Sequence, residues 1–333
     1  MHPKKEIKMK YHRTIKAALA AIAMATPLKA TELKFANFTP PFHTINASVI
    51  EKLNSDVSNA TNGELTVKGF HGGELGAGPV EQYVRAVQGA AEITWGLPGY
   101  TSSQFKKTMI VELPGVLSDG ESGADALCRA MDEIKAEFPG TVPVALWTSE
   151  PNIMIMKEKV IRAPSDLKGL KIRVAGATAG KVAEALGATP VQMPINQVYN
   201  SLQTGLIDGV FTGSSTLDDF KLDEVASSFT IGAPLGRLSF FAVMNESAYN
   251  GLSAEHKAAF DAASGCGLAN NAESAWNARG ESGVKRARGI EKNTFVDLTP
   301  QQIEQFAAAV SDVTQSYVNE VNGAAALEAM MNN

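Results

Sequence analysis

Strands and helices alternate along most of this chain, and that alternation limits it to a small set of layered α/β folds. Residues 32–37 alternate apolar and polar side chains with the period of a strand, and after Pro40 and Pro41 the segment 43–58 spaces its apolar residues as a helix does. The same reasoning predicts further strands at 65–70, 91–95, 141–147, 153–156, 171–174, 189–193, 209–211 and 238–245, and helices at 80–87, 177–186 and 197–204.

The last part of the chain, from Ser253 onward, is almost entirely helical by composition. Ser253 stands ahead of acidic residues as a helix cap does, and Pro300 follows Thr299 in the first turn of another predicted helix. The chain has 333 residues, and at roughly 150 residues per domain this length suggests two domains. We therefore predict an α/β protein of two lobes, wrapped by long C-terminal helices.

The amino terminus has the pattern of a secretory signal peptide. A basic stretch ends at Lys16, twelve uncharged residues follow at 17–28, and small or polar residues come after Ala30. We expect residues 1–30 to be removed and the mature protein to be periplasmic; a surface helix of the folded domain is the alternative. No segment reaches the roughly 20 apolar residues that a membrane-spanning helix needs.

The charge of the chain argues against two classes of partner. Residues 1–30 contain seven basic residues and one acid, which leaves 23 basic against 34 acidic residues, or a net charge of −11, in the remaining 303. Such a balance repels nucleic-acid phosphates and anionic lipid surfaces. We expect neither as a partner, although a local anion site is compatible with it.

Motifs for catalysis and for cofactor binding are missing from the sequence. It has no H-E-x-x-H, G-x-S-x-G, EF-hand or G-x-G-x-x-G pattern. Residues 176–182 are one residue short of a phosphate loop and lack its Ser or Thr, so we interpret them as a helix start after a strand. His43 and His71 lack metal-ligand spacing, and we expect them to be surface or core residues. No metal or cofactor is expected.

The two cysteines, Cys128 and Cys266, lie 138 positions apart in segments predicted to be helical. We expect two buried free thiols, which behave as small hydrophobic side chains. A disulfide is the alternative, since the expected compartment is oxidising.

Arg173 lies between Ile172 and Val174 in a predicted strand, and the chain turns at Gly176 directly afterwards. It should therefore lie near the carboxyl end of the strand, the edge at which open α/β sheets bind ligands. A guanidinium matches a carboxylate with two parallel hydrogen bonds. A salt bridge between the lobes or at the surface is the alternative, and composition does not decide between them.

Three ordered blocks strongly resemble the DctP family, the solute-binding proteins of tripartite ATP-independent periplasmic (TRAP) transporters. They are A-P-S-D-L-K-G-L-K-I-R-V at 163–174, L-G-A-T-P at 186–190 and Q-V-Y-N-S-L-Q-T-G-L-I-D-G at 197–209. Weaker matches extend from Phe35 through 73–76 and 98–100 to 243–245, so the resemblance covers nearly the whole mature chain.

The resemblance implies a periplasmic-binding-protein-like fold with crossover segments that closes on an organic acid and delivers it to a TRAP permease. Expected lobes are 31–150 with about 237–280, and 151–236 with about 281–333. The resemblance also implies that Arg173 pairs with the ligand carboxylate. A periplasmic enzyme acting on a small acid, or a sensing subunit for a membrane kinase, are the alternatives. We expect a monomer.

Two departures from the family pattern bear on the ligand. Many members have a second arginine near 150–153, where this chain has Pro151 and Asn152, and members often have Gln-Glu-Asn-Pro where this chain has 210–213. Thr212 takes the place of an asparagine that touches the ligand, and Phe211 that of a charged residue. We therefore expect a flatter, more apolar ligand. The other expected site residues are Trp95, Trp147, Phe240, Arg237, Phe38, Glu74, Met193 and Asn152.

Overall fold

A computed structural model describes residues 1, 3, 30–118 and 120–332 of the chain. The predicted signal peptide lies almost entirely outside the described residues. Within them, the strands are β1 Thr31–Ala36, β2 Leu65–Phe70, β3 Ile93–Gly96, β4 Thr141–Thr148, β5 Asn152–Met156, β6 Lys171–Val174, β7 Thr189–Gln192, β8 Gly209–Gly213, β9 Ser228–Ile231, β10 Ser239–Asn245 and β11 Thr294–Asp297.

Helices cover both sheets and most of the last 80 residues. They are α1 Lys52–Ala60, α2 Gln82–Val87, α3 Gly123–Arg129, α4 Met131–Ile134, α5 Ala177–Ala185, α6 Val198–Thr204, α7 Thr216–Asp219, α8 Glu246–Asn250, α9 Ala254–Ala263, α10 Cys266–Arg288, α11 Pro300–Val310, α12 Val313–Glu320 and α13 Ala324–Met331. A π-helical turn, Asn46–Glu51, leads into α1. Ser253 and Thr299 cap α9 and α11 through their side chains, as the sequence predicts.

The strands form two sheets, which confirms the mixed α/β class. The first has the order β2-β1-β3-β10-β4, and the second has the order β11-β9-β5-β8-β6-β7. Both combine parallel and antiparallel pairs: β6 runs parallel to β8, for example, and β10 antiparallel to β3 and β4. The chain passes from the first sheet to the second after β4 and returns after β9. Helix α10 packs against both β4 and α7 and so runs between the two sheets.

The described core is divided among three clusters of buried apolar side chains. One lies beside the first sheet, one beside the second, and a third draws on both, because it includes Leu146 and Phe241 from the first and Met154 from the second. At the end of the chain α13 packs against α3, and Arg129 donates to the carbonyl of Met330. The last helix thus lies beside an element of the first half of the chain, although the sequence-based division assigns 281–333 to the second lobe. That division remains a prediction.

Cys128 and Cys266 are joined by a disulfide, so the expectation of two free thiols is wrong. Cys128 lies in α3 and Cys266 is the first residue of α10, and these helices pack against each other and bring the two Cα atoms to 6.0 Å. Sequence spacing gave no sign of this pairing, because it depends on how two helices 138 positions apart meet in the fold.

Candidate ligand-binding site

A cavity lies between the two sheets, and its empty space of about 430 Å³ includes space that is open to solvent. Strand ends and loops of the first sheet supply one wall, the carboxyl ends of β6 and β8 supply the other, and α10 closes one side. The lining residues are Phe38, His43, Trp95, Leu97, Tyr100, Ser149, Arg173, Ile195, Thr212, Gly213, Ser215, Thr216, Phe220, Leu238, Phe240 and Trp276.

Arg173 is the one lysine or arginine among the described residues that line the cavity. It is the third residue of the four-residue strand β6 and is 1% exposed. Its Nε donates to the carbonyl of Met193 at 2.9 Å, while Nη1 and Nη2 have no hydrogen-bond partner among the described residues. The Met193 carbonyl thus holds the guanidinium and leaves its two-nitrogen edge free. A buried guanidinium edge of this kind suits a carboxylate oxygen pair.

Burial lowers the pKa of Arg173, and the Tyr100 hydroxyl, which lies close to the guanidinium but outside hydrogen-bond geometry with Nη1 and Nη2, opposes that change. An arginine pKa starts so high that the group stays charged in proteins. Burial likewise raises the pKa of Tyr100, so its phenol is neutral, and its oxygen accepts a hydrogen bond from the Ile195 N–H at 3.1 Å. The cavity therefore contains a buried positive charge with no described anion beside it, which is a costly arrangement unless a ligand supplies the anion.

Aromatic rings form a large part of the remaining wall. Phe38 stacks on Trp95 with ring centroids 4.6 Å apart, and Trp276 lies 5.2 Å from Phe240 and 6.2 Å from Trp95. The Trp95 indole is held in place because its N–H donates to the Asn37 Oδ1 at 2.8 Å. Rings fixed in this way offer flat apolar surfaces to a planar ligand.

The structure brings five of the eleven residues expected from the sequence to the cavity. They are Arg173, Thr212, Trp95, Phe240 and Phe38. The other six do not line it: Phe211, Trp147, Asn152, Arg237, Glu74 and Met193.

Phe211 differs from expectation because neighbouring residues of a strand point to opposite faces of the sheet. Thr212 lines the cavity, so Phe211 points the other way and is fully buried in the cluster that contains Met154. The Thr212 hydroxyl has no hydrogen-bond partner among the described residues, which leaves it free for a ligand.

The remaining five lie behind the cavity or away from it. Trp147 is fully buried and stacks on Phe240 at 5.4 Å, so it supports the wall from behind. Met193 contributes its carbonyl to Arg173 rather than its side chain to the cavity. Asn152 is buried, and its amide lies 3.5 Å from the Leu235 carbonyl. Arg237 is half-buried in the segment before β10, and Glu74 is exposed.

Sequence reasoning missed His43, Tyr100, Phe220 and Trp276. No sequence pattern indicated that His43 or Trp276 binds a ligand. His43 stands alone without a motif, and Trp276 lies in the middle of a long helix. Tyr100 was available in principle, since residues 98–100 belong to a block that matches the family. Its contact with the cavity depends on how the two sheets face each other, which no local pattern reports.

Hydrogen bonds close the cleft over the cavity. The Tyr100 hydroxyl accepts from the Ile195 N–H, and the Ser102 hydroxyl accepts from the Ala177 N–H at 3.2 Å. Two further contacts of this type join the Gln192 amide to the Gly99 carbonyl at 3.1 Å and the Thr44 hydroxyl to Asp219 at 2.8 Å. Gly99 and Gly176 meet so closely that a Cβ on Gly176 would lie 2.5 Å from the Gly99 Cα. The structure is therefore a closed form.

Glu150 lies buried where the chain first crosses between the sheets. Its Oε1 accepts from the Ser215 N–H, its Oε2 has no partner among the described residues, and Gly280 of α10 packs against it. Burial is the main cause that raises the pKa of Glu150 from 4.5 to about 7, and the negative charge of Asp219 adds to it.

We expect the wild type to lose stability as the pH rises, and we expect Glu150→Gln to lack this loss. The folded protein holds a proton on Glu150 between pH 4.5 and about 7 that the unfolded chain releases, so the wild type loses stability across that window and then levels off. The loss amounts to at most roughly 3 kcal/mol. Urea unfolding from pH 4.5 to 8 measures it. Identical pH slopes for the wild type and the variant would contradict this expectation.

The described residues contain no cluster of three or more His, Cys, Asp or Glu side chains arranged to hold a metal ion. No helix in the described part of the chain combines the length and apolar character needed to cross a membrane.

Comparisons with known proteins identify the family. The family model named DctP, bacterial extracellular solute-binding protein family 7, matches residues 35–320. A C4-dicarboxylate-binding periplasmic protein of Rhodobacter capsulatus is 26% identical over 251 residues, which are 72% of this chain and 71% of that protein.

Solved structures agree with this match. A TRAP solute-binding protein from Rhodoferax ferrireducens T118, in complex with copurified benzoate, is 26% identical, has a TM-score of 0.84, and covers 91% of this chain and 97% of its own. A marine metagenome TRAP protein specific for aromatic acid ligands, in complex with 3-hydroxybenzoate, is 28% identical with a TM-score of 0.83 and the same coverage. The chain therefore belongs to the DctP family of extracellular solute-binding proteins, the binding subunits of TRAP transporters.

Proposed function

We propose that this protein captures an aromatic monocarboxylate in the periplasm, with Arg173 pairing with the carboxylate, and delivers it to a TRAP membrane permease. The observation that carries the proposal is the buried Arg173 guanidinium, whose two Nη nitrogens lack a described partner at the wall of an aromatic cavity. Membership in a family of solute-binding proteins sets aside the alternative of an enzyme.

The distribution of charge favours one carboxylate over two. A dicarboxylate would bring a second anion into a cavity whose lining includes one arginine and no lysine. A buried carboxylate without a partner costs far more free energy than its other contacts supply. Asn152, which stands where many family members have a second arginine, does not line the cavity and carries no charge.

The aromatic walls favour a planar ligand. Trp95, Phe240 and Trp276 present rings whose faces and edges can pack against a flat ring, and such pairs gain roughly 0.5–1.5 kcal/mol beyond the burial of area. Two structural relatives hold benzoate and 3-hydroxybenzoate, which supports an aromatic acid here as well.

The ligand also joins the two sides of the cleft. Arg173 and Thr212 belong to the second sheet, while Trp95 and Phe240 belong to the first. A molecule that touches all four stabilises the closed form through its contacts to both sides.

A thermal-shift screen of small acids tests this function. Benzoate and its hydroxylated relatives should stabilise the protein, by about 2.7 kcal/mol at 100 times their Kd. Succinate and malate should stabilise it less, because their second carboxylate has no partner. Benzamide is the matched neutral control, since it keeps the ring and loses the charge. A screen in which succinate or malate gives the largest stabilisation, or in which benzamide equals benzoate, would contradict the proposal.

A further inference from the structure

His43 is a buried histidine in the cavity wall that the pairing of Arg173 with a carboxylate does not use. It is 4% exposed, and its ring lies against Trp95, Phe220 and Trp276 with centroids 5.3 to 5.6 Å away. Its Nδ1 accepts a hydrogen bond from the Ile45 N–H at 3.1 Å. A backbone N–H can only donate, so the ring proton of neutral His43 belongs on Nε2.

Burial leaves His43 neutral, although a carboxylate lies nearby. The nearest carboxylate oxygen, Asp219 Oδ2, lies 3.7 Å from Nε2, outside hydrogen-bond distance. Asp219 is already engaged, since Oδ2 accepts from the Thr44 hydroxyl at 2.8 Å and Oδ1 accepts from Arg279 Nε at 2.9 Å. Burial lowers the pKa of His43 to about 4; Asp219 opposes this change and Arg279 adds to it. At the pH of the periplasm, His43 is therefore a hydrogen-bond donor without a net charge.

We propose that His43 Nε2 donates a hydrogen bond to an oxygen substituent on the ring of the bound acid, so that the site selects hydroxylated aromatic monocarboxylates over unsubstituted ones. The inference rests on the proposed function. Arg173 fixes the carboxylate, and the aromatic walls hold the ring in one plane. A fixed donor elsewhere in the same lining then distinguishes ring positions, because an apolar substituent beside it leaves the donor unpaired.

A ligand series on the unmodified protein tests the inference without any risk to folding. Calorimetry would give Kd for benzoate and for its meta- and para-hydroxy and meta- and para-methyl derivatives. The methyl group is the matched control, because it fills a similar volume and cannot accept a hydrogen bond. At one ring position the hydroxyl compound should bind about 3- to 10-fold more tightly than the methyl compound. Equal or weaker binding of both hydroxyl compounds would overturn the inference.

Variants assign the preference to His43. In His43→Phe the hydroxyl-to-methyl ratio should fall to about 1, whereas His43→Gln, which can place an amide N–H near Nε2, should keep part of it. His256→Gln is the control, since His256 is a buried histidine outside the cavity and its replacement should leave the ratio unchanged. A ratio that survives in His43→Phe would overturn the inference.

The pH dependence of the same ratio is an independent readout. If His43 is a neutral donor with a pKa near 4, the ratio of hydroxyl to methyl affinity should be constant from pH 5.5 to 7.5. Glu150 also titrates in this range, but it does not line the cavity, so we expect it to affect the affinities of both ligands alike. A several-fold change of this ratio within the pH range would overturn the assignment of His43 as a neutral donor. If benzoate binds through Arg173 and the ratio is 1, this inference alone fails; if no aromatic acid binds, the proposed function fails with it.

Discussion

Arg173→Met is expected to weaken benzoate binding by about 2–5 kcal/mol, since it leaves a carboxylate buried without its partner. Without ligand, the same variant should be as stable as the wild type or more so. The reason is that Arg173 is 1% exposed and neither Nη has a described partner, so the wild type carries an uncompensated charge that methionine removes at similar volume. Calorimetry with benzoate and urea unfolding of the unliganded protein measure the two effects.

Two further variants test what Arg173 contributes to binding. One separates the charge of the side chain from its geometry, and the other controls for the overall charge of the protein. Arg173→Lys keeps the charge but loses the planar pair of donors, so it should recover only part of the affinity. Arg237→Ala removes a positive charge outside the cavity lining and should leave the affinity unchanged. Undiminished benzoate binding in Arg173→Met would remove Arg173 from the site.

Removal of the disulfide is expected to lower stability by about 2–5 kcal/mol. The bond closes a long loop, because its cysteines are 138 positions apart, and loop closure of that length restricts the unfolded chain strongly. The double variant Cys128→Ala, Cys266→Ala should show this loss in urea unfolding without ligand, and the single variants should show a similar one.

Neither cysteine lines the cavity, so the double variant should keep the affinity of the wild type for benzoate. The wild type with reductant is the matched control, and it should approach the double variant. A double variant within about 0.5 kcal/mol of the oxidised wild type would contradict the prediction, because that is the range of an ordinary surface substitution.

Much of the fold could be predicted from local patterns. The strands at 65–70 and 171–174 were predicted with the bounds that β2 and β6 have, and the helix at 177–186 ends within one residue of α5. In these segments the hydrophobic period, the capping residues and the turn residues all favour the secondary structure that the fold requires. Strands β9 and β11 were not predicted, and β11 interrupts a region whose composition is helical.

The binding site was less predictable, because it forms where distant segments meet. Arg173 could be found from its place near a strand end, and Thr212 from its place just after a family block, where members often have an asparagine that touches the ligand. Phe211 could have been excluded from the same alternation that places Thr212 in the cavity. Trp276 and His43 could not be found, since one enters from a helix that runs between the sheets and the other stands in a loop without a motif. The disulfide was missed for the same reason.

A crystal structure of the protein with benzoate tests the central claim most directly. We expect the two carboxylate oxygens to lie about 2.7–2.9 Å from Nη1 and Nη2 of Arg173, with the ring packed among Trp95, Phe240 and Trp276. Benzoate bound with its carboxylate away from Arg173, or a guanidinium turned toward bulk solvent in the complex, would contradict the account.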